Sequence, residues 1–187
     1  MLRGELEGGD VEILYVRVPE HLRGPLLLSL HDLKMPLDPL RKCVRHFWKV
    51  DNRIILDAPD FSLERAREMF HMARLALPPD IPPPLRVWRG TTGRTLEQAR
   101  EGLCWTLNRN AACWFATLCD QREAGDPIVV TALIGPKKIL FYDQDDGLCE
   151  SEVVLDRINE AEIDPGSETE WLESGRQFIK SRMTTPT

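Results

Sequence analysis

Two glutamates stand one residue apart in GLCESEVVLD, residues 147–156, at the mouth of an apolar run. Side chains alternate along a strand, so Glu150 and Glu152 are expected on one face with Ser151 on the other. Holding two like charges side by side is unfavourable unless a cation or a reaction uses them; the ordinary alternative is a strand end wetted by solvent. Upstream, VWRG sets Arg89 before Gly90 at a strand end, and LCWTLNRNAACWFA puts Cys104 and Thr106 on one face of a short strand that turns into a helix. An arginine can meet a phosphate or fix a cleft through charge-assisted hydrogen bonds, and a held carboxylate can stabilise a positive charge as it develops.

The remaining reactive side chains form no evident centre. Five cysteines, Cys43, Cys104, Cys113, Cys119 and Cys149, include no Cys-x-x-Cys pair and no histidine at ligand spacing. No metal is therefore expected, and the thiols read as reduced, as in a cytoplasm, the protein's own or a host's. His21, His31, His46 and His71 all precede residue 78, so Cys104 as a nucleophile would have to borrow its base from the first third of the chain. Trp105, Trp114 and Phe115 read as core aromatics. Asp143, Asp145 and Asp146 in DQDDGL make an acidic loop, suited to a cationic target and equally to a solvated hairpin.

The elements that must position these residues follow from periodicity and punctuation. VEILYVRV, residues 11–18, is rich in β-branched residues and reads as a strand. Residues 38–50 predict a helix with Asp38 as N-cap, Pro39 at the first position, and Leu40, Val44, Phe47 and Trp48 on one face. A second helix starts after Ser62 and turns Leu63, Ala66, Met69, Phe70, Ala73 and Leu77 inward. PPDIPPP, residues 78–84, lacks the donors that a helix or central strand needs and is a stiff connector within one domain. Beyond it come strand LRVWRG, a short helix with a Thr95–Gln98 capping box, strand LCWTL and a helix capped by Asn108. Strands PIVVTALI, KKILFYD and ESEVVLD follow, then a closing helix with a Ser167–Glu170 capping box. Helices first and strands afterward predict an α+β fold: one domain over 1–187, with a mainly helical part over 1–84 and a core over 85–187.

The order arginine, then a small residue on a second strand leading to a helix, then Glu-x-Glu on a third resembles the Arg, Ser-Thr-Ser, Glu-x-Glu pattern of mono-ADP-ribosyltransferases of the cholera-toxin-like, arginine-specific type. The resemblance spans residues 85–156 and implies a two-sheet core that clamps NAD as substrate. It implies that Arg89 with Gly90 supports the dinucleotide, that Cys104 and Thr106 brace the cleft, and that Phe115 lies near an apolar wall by the nicotinamide. Glu152 would touch the nicotinamide ribose and Glu150 would prepare the acceptor, a protein arginine. Cys104 and Trp105 depart from the pattern, standing where serine and threonine are usual. A thiol is a poorer donor than a hydroxyl, while Thr106 keeps one hydroxyl in place. Two other activities fit the same residues: NAD glycohydrolysis, and protein binding by a catalytically inactive member of the fold.

Composition bounds these readings. A net charge of −6 argues against holding nucleic acid by its phosphates. The longest apolar run, GPLLLSL at residues 24–30, is far below the ~20 residues that span a bilayer, and its position does not suit a signal peptide.

Overall fold

The computed structural model describes residues 11–33, 35–56, 58–59, 62–79, 81, 83–119, 125–143 and 151–184. The chain divides at the start of the proline-rich connector into two units, Met1–Ala76 and Leu77–Thr187.

The first unit is helical: α1 Val11–Arg17, α2 Glu20–Asp32, α3 Leu37–Leu56 and α4 Leu63–Ala73. The strand expected over 11–18 is instead α1. Val11 is buried and Tyr15, one helical turn on, sets its ring edge-on to His46 and Phe47 of α3. Helix α3 buries Leu40, Val44, Phe47 and Trp48 completely, as the periodicity predicts. It begins one residue before the expected cap, because the Pro36 carbonyl already accepts the Leu40 amide, and Asp38 lies in its first turn, bonded to Arg41. Helix α4 is capped by Ser62, whose hydroxyl accepts from the Arg65 amide. It ends at Ala73, short of Leu77, because Arg74 takes a left-handed backbone at φ 47°.

The second unit runs β1 Leu85–Thr92, α5 Leu96–Arg100, β2 Cys104–Thr106, α6 Arg109–Thr117, β3 Pro127–Ile134, a 3₁₀ turn Pro136–Lys138, β4 Ile139–Asp143, β5 Glu152–Leu155, β6 Glu162–Ile163 and α7 Glu168–Thr184. The protein is thus α+β, helices first. Among the described residues the strands form one antiparallel sheet in the order β4-β5-β2-β1-β3-β6, where two sheets are expected. The joint is narrow. Strands β1 and β3 pair over eight residues and β2 with β5 over three, whereas β1 and β2 meet in the single pair Trp88↔Thr106. Two three-stranded halves therefore meet at one point, and that point carries Thr106.

One face of the sheet buries Val87, Trp105, Val130, Ala132, Val153 and Leu155 with Ala99 of α5. The other packs Val129 and Trp88 against Ala112, Cys113 and Ala116 of α6 and Trp171 of α7. Helix α6 lies so close to β1 that a Cβ on Gly90 would come within 1.7 Å of the Ala112 carbonyl oxygen. An ion pair ties the helices down: Arg109 grips Asp164 through Nε and Nη2, at 2.9 and 2.5 Å. The Trp171 indole N–H and the Gly166 amide also donate to Asp164, which is 4% exposed. Burial alone would raise the Asp164 pKa, but these donors reverse the sign and lower it from 3.8 to about 2.

Candidate active site

Antiparallel register places side chains without ambiguity, because directly opposed residues share a face. Trp88 opposes Thr106, Thr106 opposes Glu152, and Glu152 opposes Asp143. Trp88, Thr106, Glu152 and Asp143 thus form a row across β1, β2, β5 and β4, on one face and at the joint between the halves. Thr106 is buried in the middle of the row, and Trp88, Glu152 and Asp143 are each half-buried.

The local sequence explains how each member is held. The Thr106 hydroxyl accepts the Asn108 amide at 2.9 Å and so closes the turn from β2 into α6. Asn108 then caps α6, its Oδ1 accepting from the Asn110 and Ala111 amides. Cys104 is half-buried on the same face as Thr106, one strand from Val154. No histidine lies in the second unit. Burial pushes the Cys113 thiol up to about 11, which disfavours its thiolate form.

Arg89 follows Trp88 on β1 and therefore faces the other way. Its guanidinium turns over Gly102, where a Cβ would come within 2.3 Å of the Arg89 Cζ, and Nη1 donates to the Cys104 carbonyl at 2.6 Å. This contact clamps β1 to β2 where the ladder offers one pair. Gly90 is explained by the close approach of α6. Phe115 lies two turns into α6 with its ring 4.7 Å from Trp114, which in turn packs on Phe178 of α7. The structure thus brings together Thr106, Cys104 and Glu152, with Arg89 bracing from the far face, and sets Phe115 among the helix aromatics.

Strand β5 begins at Glu152, and Ser151 before it has a left-handed backbone, φ 51°, while its carbonyl accepts the Leu107 amide. Glu150 lies outside the described residues, as do Asp145 and Asp146, and with it the expected side-by-side placement of Glu150 and Glu152. Asp143, expected at the end of strand KKILFYD and the start of the acidic loop, is the last residue of β4, directly across from Glu152. Trp88 is the row member that motif reading missed, its one signal being its position beside Arg89 in VWRG, while Asp143 was noted for its charge and not for its place across from Glu152.

Among the described residues no group of His, Cys, Asp and Glu is placed to hold a metal ion, and no helix is long and apolar enough to cross a membrane. Comparison with protein-family models, with curated proteins and with solved structures finds no match.

Proposed function

We propose that this protein transfers ADP-ribose from NAD to a protein acceptor, an arginine side chain, with Glu152 as the carboxylate that faces the nicotinamide ribose. The observation that carries the reading is that residues of two separate motifs, Cys104 with Thr106 on β2 and Glu152 on β5, share one face of the sheet beside the single pair that joins its halves. Arg89 of the third motif faces the other side of β1 and supports the joint through its hydrogen bond to the Cys104 carbonyl.

The chemistry asks for this kind of site. Breaking the bond between nicotinamide and C1′ sends the electron pair to the departing ring and leaves positive charge on the sugar. A carboxylate fixed beside the ribose hydroxyl gains more from that charge than from the ground state, so it accelerates the step. The acceptor guanidinium must lose a proton before its nitrogen can bond to C1′, since free arginine stays charged at neutral pH. Glu150 is the group proposed to take that proton, and Asp143 adds a second carboxylate facing the same side as Glu152.

The test is release of nicotinamide from NAD by the purified protein, with and without an arginine-rich protein acceptor. Release with transfer is expected, and release without transfer assigns an NAD glycohydrolase. No release from either mixture overturns the reading.

A further inference from the structure

We propose that Asp143 binds the acceptor, its carboxylate taking the guanidinium of the target arginine and holding it beside Glu152. This deepens the reading of the Glu152 site as one that transfers ADP-ribose, and rests on it.

The sheet surrounds Glu152 differently on its two sides. Toward β1 comes Thr106, buried, its hydroxyl accepting the Asn108 amide, and beyond it Trp88, packed against residues of α6 and α7. Toward β4 comes Asp143 directly. Among the described residues β4 is an outer strand of the sheet, and Asp143, half-buried, is its last residue. An arginine carried by another protein has to reach the ribose from a margin of the site. The margin next to Glu152 is the one that carries Asp143.

Charge and reach fit a guanidinium. Directly opposed residues on antiparallel strands hold their Cβ atoms about 5 Å apart, and like charges so placed repel. A cation against the pair offsets that repulsion. The guanidinium suits it best, because its planar fork of five N–H donors can bond two carboxylates at once, whereas a lysine ammonium acts as a point charge. The β4–β5 ladder fixes the Asp143 backbone, so the acceptor meets a carboxylate in a set place. Asp143 bonds the N–H groups that do not react, which leaves the attacking nitrogen turned toward C1′ and its proton to a separate carboxylate. Capture and proton removal thus fall to different groups.

The experiment measures initial rates of ADP-ribose transfer from NAD to an arginine-rich protein acceptor, for wild type, Asp143→Asn and Asp143→Glu. Asp143→Asn is expected to raise the acceptor KM roughly tenfold, while kcat falls less than about threefold and the NAD KM stays within about twofold. Asp143→Glu brings the acceptor KM back to within about threefold of wild type. A merely structural role would lower kcat or raise both KM values together, without rescue by glutamate. That result, or an unchanged acceptor KM, overturns the role of Asp143 and leaves the Glu152 reading standing. Nicotinamide release by wild type without transfer overturns the acceptor role and leaves an NAD glycohydrolase. No release at all overturns both.

Discussion

Ser151 and Arg74 are the two non-glycine residues with left-handed backbone among those described, and Ser151 sits between the two glutamates that first drew notice. Such a conformation costs roughly 1–2 kcal/mol in an L-residue, so it persists where the surroundings impose it. Here the Leu107 amide holds the Ser151 carbonyl on the β2 side, and the chain turns before Glu152. Cys104 lends itself to the sharpest residue-level test. If its side chain braces the cleft, Cys104→Ser keeps or improves nicotinamide release, and Cys104→Ala lowers it by about 1 kcal/mol, or roughly fivefold. A nucleophilic thiol predicts the opposite: serine nearly abolishes release, and alkylation inactivates the protein unless NAD protects it. The strand positions of Arg89, Cys104, Thr106 and Glu152, and the shared face of Cys104 and Thr106, were legible in the sequence because strand alternation is a local property. The direction of Arg89 and the partners Trp88 and Asp143 were not, because cross-strand register is set by residues far apart in the chain.

Elements were legible where punctuation was strong. The Thr95–Gln98 and Ser167–Glu170 capping boxes are both formed, and Glu170 is held below the ordinary carboxylate range by its hydrogen bonds from Ser167. Elements were lost where propensity and packing disagreed. Helix α1 carries β-branched residues that tertiary contacts through Tyr15 override, and α2 runs through Pro25, which hides its periodicity behind a helix breaker. Strand β6 is two residues long, too short for any period. The contact between α6 and β1 makes a prediction at this scale. Gly90→Ala should destabilise the protein by at least about 2 kcal/mol in urea unfolding, since the helix backbone must move to admit a methyl group. Gly135→Ala, with nothing within 4 Å of the added Cβ, should stay within about 0.5 kcal/mol of wild type. Equal effects at the two sites would contradict the packing described for α6.

For the molecule as a whole, the order of helices and strands predicted α+β, but the sequence carried no sign that one pair would link the two halves of the sheet. Nor did it single out Asp164, whose partners Arg109 and Trp171 become neighbours only when α6 and α7 pack over the sheet. The Asp164 pKa is depressed on folding, so its stabilisation is full above the unfolded value near 4 and is lost as pH falls through about 2. A shift of that size corresponds to roughly 2 kcal/mol. The stability gap between wild type and Asp164→Asn should therefore shrink by about that amount as pH is lowered from 5 towards 2. A gap that stays constant over this range would show that the Asp164 charge contributes nothing.

The central claim, that Glu152 serves a site for ADP-ribose transfer, is tested most directly with NAD labelled on its adenylate side. Wild type and Glu152→Gln are each incubated with an arginine-rich protein, and the label on that protein is counted. The account predicts label on the acceptor with wild type, and a fall of roughly two to three orders of magnitude with Glu152→Gln at little change in NAD affinity. Full labelling by Glu152→Gln, or no label and no nicotinamide released by wild type, would contradict it.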